Sequence, residues 1–120
     1  KVAMLGLTFK PNTDDMRDSP AIAIAQTLQD AGVQVAAYDP EGMEIAKPLM
    51  PGVEMVANAY TAIEDADAVA IVTEWDAFRA LDLDRVKKLA KAPVLVDLRN
   101  IYDPAEVRAK GFAYSSIGRP

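Results

Sequence analysis

The stretch Val2-Ala3-Met4-Leu5-Gly6-Leu7-Thr8-Phe9-Lys10-Pro11-Asn12-Thr13-Asp14-Asp15-Met16-Arg17-Asp18-Ser19-Pro20 decides how the chain is read. Val2 to Leu5 is apolar at every position, as befits a strand buried on both faces of a parallel sheet. A helix over Ala21 to Ala31 follows, with Ser19 as its cap and Pro20 as its first residue. Between strand and helix lie thirteen residues, Leu7 to Ser19, where such connections usually take about 2 to 6. A long loop at the carboxyl end of a leading strand is where open α/β sheets place ligands. It carries two cations, Lys10 and Arg17, and three acids, Asp14, Asp15 and Asp18, a set suited to a phosphate-bearing ligand.

Outward from this loop the pattern alternates. Ile22, Ala25 and Leu28 share one side of the helix, and Gly32 stands where a left-handed C-terminal cap belongs. Val33 to Tyr38 reads as a second strand ending at Asp39-Pro40, so the first unit is strand, helix and parallel strand. A short helix from Met43 to Leu49, broken by Pro48, precedes a brief strand over Val53 to Val56 and a helical turn over Ala59 to Glu64. Ala68 to Val72 is an apolar central strand, with Thr73 to Phe78 at its carboxyl end. Asp82 caps a helix over Leu83 to Ala90, Val94 to Val96 is a fifth strand leading into Asp97 to Asn100, and Asp103-Pro104 opens a last helix that Gly111 closes. Phe112 to Ile117 reads as an edge strand. Five or six strands alternating with helices predict a Rossmann-like, doubly wound sheet with helices on both faces, in one domain over residues 1–120.

Composition narrows the function. Thirteen Lys and Arg against eighteen Asp and Glu leave a formal charge of −5, which argues against nucleic acid as partner. No apolar run approaches the roughly 20 residues of a membrane span, and a cytoplasmic setting is expected. The chain has no cysteine and no histidine, so it offers no thiolate or imidazole for metal binding or catalysis. With Lys1 leading directly into a strand, it reads as a domain of a longer protein.

Three strand ends converge in such a sheet: the Gly6 loop, Thr73 to Phe78, and Asp97 to Asn100. Lys10 and Arg17 read either as anion ligands or as solvated cations paired with the neighbouring acids. Arg99 reads either as a phosphate or ribose ligand or as the partner of Asp97. Gly6 lacks the second and third glycines of a dinucleotide fingerprint and reads as the tight exit from the first strand. Asp14-Asp15 could suggest a Mg²⁺ site or a phosphoacceptor, but solvated or backbone-bonded acids are expected, and no metal site is assigned. Trp75 and Phe78 read as packing residues.

Gly6 to Pro20 resembles the signature opening the C-terminal, UDP-binding domain of the UDP-glucose/GDP-mannose dehydrogenase family. The likeness continues, in the family's order, through Ala37-Tyr38-Asp39-Pro40, Thr73-Glu74-Trp75-Asp76-Ala77-Phe78, Val96-Asp97-Leu98-Arg99-Asn100-Ile101-Tyr102 and Ser116-Ile117-Gly118-Arg119. Thr8, Pro11-Asn12 and Met16 are most similar to the bacterial, UDP-glucose-oxidising branch. The resemblance implies a parent enzyme that oxidises a sugar C6 alcohol to a carboxylate in two hydride transfers to NAD⁺, through a cysteine in its N-terminal part. This domain would then hold the nucleotide sugar, contain no catalytic residue and be inert alone. By the same resemblance Phe9 (through its backbone), Lys10 and Arg99 contact the UDP-sugar, and Arg17 reaches NAD⁺ held by the N-terminal domain. Trp75 is structural, and a central helical region makes the full-length enzyme a homo-oligomer. Relatives acting on GDP-mannose or UDP-N-acetylhexosamines are the alternative. A receiver-like regulatory domain is a remote one, since Asp14-Asp15 lies far into the loop and Asp97 stands where a receiver needs Lys.

Overall fold

The computed structural model describes residues 1–117; Gly118 and Arg119 of the last family-like block lie outside the described residues. Six strands, β1 (Val2–Leu5), β2 (Val35–Tyr38), β3 (Glu54–Met55), β4 (Ala68–Ile71), β5 (Val94–Asp97) and β6 (Ala113–Ser116), form one sheet in the order β3-β2-β1-β4-β5-β6. Every pairing is parallel. This is the doubly wound order with its reversal between β1 and β4, and it differs from the 2-1-3-4-5 order of receiver folds.

Side chains alternate across the sheet, as a two-residue period requires. Ala3, Leu5, Ala36, Val69, Ile71 and Leu95 face one core, covered by α3 (Ala59–Ile63), α4 (Asp76–Arg79), α5 (Leu83–Leu89) and α6 (Pro104–Ala109). Met4, Val35, Ala37 and Ala70 face the other, covered by α1 (Ala21–Asp30) and α2 (Met43–Ala46). On that second side Val94 and Val96 are only half-buried, and their register partners Ala113 and Ser115 are exposed.

The punctuation signals fall where their chemistry is needed. Asp82 and Asp103 accept the first amides of α5 and α6, and Asn58 does the same for α3. Ser19 Oγ accepts the Ala21 amide at 3.2 Å, although Pro20, not Ser19, stands next to the first helical residue. At the other end of α1, Val33 N–H donates to Leu28 O and Gly32 N–H to Gln29 O, with Gly32 at φ +84°; the helix therefore stops at Asp30, one residue short of the expected Ala31. Pro48 turns the end of α2 into a 3-10 turn over Lys47–Leu49. β2 begins at Val35 rather than Val33, because Val33 is spent on this cap.

Gly6 shows why β1 must end in glycine. Its φ is +100°, and a Cβ there would lie 2.5 Å from the Thr73 amide nitrogen. Gly6→Ala is expected to lower stability by about 3 kcal/mol, through backbone strain plus overpacking against the β4 exit. Urea denaturation checks this; an unchanged midpoint would contradict the close approach.

Candidate functional site

The loop between β1 and α1 is folded as a structure of its own. Leu7 and Met16 are buried in the α1-side core, Asn12 and Asp18 adopt left-handed φ of 63° and 60°, and Phe9 N–H donates to Asp15 O at 3.0 Å. Ser19 Oγ donates to the Leu7 carbonyl. These contacts bring the two ends of the loop together and leave its middle facing outward.

Its anchor is Asp39, fully buried just past β2. Oδ2 accepts the amides of Leu7 at 2.7 Å and Thr8 at 3.2 Å and the Trp75 indole N–H at 3.1 Å, with the Thr8 hydroxyl also in reach at 3.2 Å. Oδ1 accepts the amides of Glu41 and Gly42 at 2.9 and 2.8 Å. One carboxylate thus fixes the exits of β1, β2 and β4. Thr73 Oγ1 adds a bond to the Thr8 carbonyl at 2.7 Å. Trp75 and Phe78 are packed into the core as expected, and Trp75 serves the site through its N–H.

Asp97 plays the same part at the end of β5, accepting the amides of Arg99, Ile101 and Tyr102 and the Tyr114 hydroxyl. Its charge is thereby spent on the backbone. Burial, and then the Asp97 charge, push the Tyr102 hydroxyl above the usual phenol range, so it stays protonated and donates to the Phe78 carbonyl.

Arg99 departs from the reading that pairs it with Asp97. It makes no pair with the Asp97 carboxylate; its Nε donates to the Val72 carbonyl at 2.9 Å and its Nη2 to the Phe9 carbonyl at 2.8 Å, with Glu74 Oε2 3.9 Å from Nη1. It ties the β4 exit to the loop 90 residues away in sequence. Phe9 therefore has its N–H on Asp15 and its carbonyl on Arg99, and the residue as a whole is 44% exposed. Lys10 follows, exposed, with no ion pair to its ammonium among the described residues. Phe9, Lys10 and Arg99 are thus brought together.

Arg17 is clamped by Asp15 at 2.9–3.2 Å. With Thr13, Asp14, Met16, Ile45 and Leu49 they line an open cleft of about 540 Å³, within the size range of small-ligand sites. No group of three or more acids of metal-binding geometry occurs among the described residues.

The hydrogen bond from the Arg17 guanidinium, reinforced by the Arg17 amide, lowers the Asp15 pKa from 3.8 to about 2. A depressed carboxyl pKa contributes stability that is fully present above the unfolded value near 3.8 and lost as pH falls through about 2. The Asp15 carboxyl is expected to titrate near 2 by carbon NMR and to return towards 3.8 in Arg17→Ala. A wild-type midpoint already at 3.8 would mean the clamp does not form.

Comparison with known proteins agrees with this architecture. Residues 3–104 match the UDP-glucose/GDP-mannose dehydrogenase family, UDP binding domain. The chain is 62% identical over 120 residues to UDP-glucose 6-dehydrogenase of Rhizobium meliloti (strain 1021), covering 100% of this chain and 28% of that protein. It is 43% identical to UDP-glucose 6-dehydrogenase TuaD of Bacillus subtilis (strain 168), over 99% of this chain and 26% of the relative. Among solved structures, NDP-N-acetyl-D-galactosaminuronic acid dehydrogenase of Methanosarcina mazei Go1 superposes with a TM-score of 0.86 at 35% identity, covering 98% of this chain and 24% of that one. The chain therefore spans about a quarter of the length of these relatives. On sequence, strand order and the matched residues alike, it belongs to the UDP-glucose/GDP-mannose dehydrogenase family, as the UDP binding domain.

Proposed function

We propose that this chain holds the nucleotide sugar in a UDP-glucose 6-dehydrogenase, whose whole reaction oxidises the C6 alcohol of UDP-glucose to the carboxylate of UDP-glucuronate. The observation that carries the reading is the loop itself: an exposed Lys10, without an ion pair among the described residues, presented beside the Phe9–Arg99 tie in a chain 62% identical to a bacterial enzyme of that name. Lys10 meets the pyrophosphate as a point charge, the Phe9 main chain borders the sugar, and Arg99 serves the UDP portion with the nitrogen edge left over from its two carbonyls. Binding energy from the remote nucleotide orients C6 at the reacting centre.

NAD⁺ accepts the hydrides in this reaction. The crevice of this domain does not itself fit a dinucleotide, because Asp39, placed where dinucleotide folds hold the ribose, has both oxygens filled by protein donors. Gly6 also stands without the further glycines of the fingerprint. The cofactor therefore belongs to another part of the parent, with Arg17 reaching it from here. The nucleophilic cysteine that the family resemblance implies likewise belongs to another part of the parent, in keeping with a chain that has no Cys. No helix among the described residues is long and apolar enough to cross a membrane; by the family resemblance we place the parent in the cytoplasm and as a homo-oligomer.

A second sugar remains in play because the Methanosarcina mazei Go1 structure carries the name of an N-acetylated-sugar enzyme. The test is NADH formation by the full-length parent with UDP-glucose, GDP-mannose and UDP-N-acetylhexosamines. About two NADH per UDP-glucose is the expected result; turnover of another sugar alone would change the substrate, and turnover of none would refute the enzyme reading.

A further inference from the structure

Asp15 is more than one acid among three in its loop. Its carboxylate takes Nε and Nη2 of Arg17 along one edge of the guanidinium, and Oδ1 also accepts the Arg17 amide at 2.9 Å. Asp15 is fixed in turn, its N–H donating to Thr13 Oγ1 at 3.2 Å and its carbonyl accepting Phe9 N–H at 3.0 Å. A guanidinium has five donors in a rigid fork, so one filled edge leaves another for a second anion. That edge is open to solvent: the Arg17 side chain is 88% exposed, and it lines the cleft shared with Thr13, Ile45 and Leu49.

We propose that Asp15 is a positioning residue, which holds Arg17 so that the unfilled guanidinium edge meets a phosphate of the dinucleotide cofactor arriving on this side of the loop. This rests on the cofactor reading of Arg17 given above and adds what prepares that arginine. An exposed arginine ordinarily samples many rotamers, and fixing it beforehand removes part of the ordering cost of binding. Asp15 lowers the net charge offered to the phosphate, so its benefit must come through orientation. The opposite role, in which Asp15 imitates the phosphate and must be displaced by it, predicts the opposite sign.

The test uses the full-length parent, with NADH binding followed by fluorescence and UDP binding by calorimetry, in wild type, Asp15→Asn, Arg17→Ala and the double variant. Asparagine retains one oxygen for the Arg17 amide while losing the charged two-point clamp. Asp15→Asn is expected to weaken NADH binding by about tenfold, to leave UDP affinity unchanged, and to add nothing in the Arg17→Ala background. Tighter NADH binding in Asp15→Asn overturns the proposal and makes Asp15 a competitor. Equal loss of NADH and UDP affinity also overturns it, since the loop would simply have collapsed. If Arg17→Ala weakens NADH binding and Asp15→Asn does not, the positioning role fails while the cofactor reading stands. No effect from Arg17→Ala removes both.

Discussion

Asp39→Ala is expected to cost the domain about 5 kcal/mol, a large share of the about 5–15 kcal/mol by which native domains are stable. The substitution strands the amides of Leu7, Thr8, Glu41 and Gly42 and the Trp75 indole N–H in a region where Asp39, Thr8 and Leu7 are fully buried. Each buried donor left without a partner loses about 1–3 kcal/mol, and water entering the cavity recovers part of the sum. Asp39→Asn is the gentler variant, since it keeps the volume and one oxygen but turns an NH₂ towards existing donors; about 2–3 kcal/mol is expected. Chemical denaturation measures both. Near-wild-type stability in Asp39→Ala would mean that the three strand exits are held together by something else.

The second large effect falls on activity. Lys10→Ala in the full-length parent is expected to lower kcat/KM for the nucleotide sugar by about 100- to 1000-fold, the range for removing one partner of a desolvated charged hydrogen bond. Stability should move by no more than about 0.5 kcal/mol, because the side chain is exposed and makes no ion pair among the described residues. The KM for NAD⁺ should stay within about twofold, and Lys10→Arg should recover part of the loss. Steady-state kinetics with each substrate varied in turn separates these. A fall in NAD⁺ affinity with the nucleotide sugar unaffected would exchange the roles of the loop's two cations.

Much of this fold is legible because its signals are local. Uniformly apolar runs at Val2 to Leu5 and Ala68 to Val72 mark strands buried on both faces, and Asp82, Asp103 and Gly32 mark helix ends through bonds within a few residues. The helix α4 was not legible: four residues after Trp75 carry no periodicity, and the turn forms because Phe78 is drawn fully into the core. β3 shrinks to two residues, since Glu54 and Met55 have a strand neighbour only on the β2 side.

The candidate site divides along the same line. Lys10 and Arg17 stand out as loop cations, but the organising role of Asp39 depends on partners 31 to 36 residues away. A signal for it exists in the sequence: Val35-Ala36-Ala37-Tyr38-Asp39 and Val94-Leu95-Val96-Asp97 each place an acid directly after an apolar strand. At such a position the exits of neighbouring strands present unpaired amides, and a buried carboxylate satisfies several at once. The reading of Arg99 as a partner of Asp97 missed this, because Asp97 is already occupied by backbone amides and a tyrosine hydroxyl.

We propose that the exits of β1, β4 and β5 together hold the nucleotide sugar. Hydrogen exchange of the full-length parent with and without UDP-glucose, read by mass spectrometry, tests it most directly. Slowed exchange is expected in peptides covering residues 7–19, 73–78 and 97–101, with α1 and α6 unchanged. Protection confined to segments outside these three, with the β1–α1 loop exchanging as fast as in the free enzyme, would contradict it.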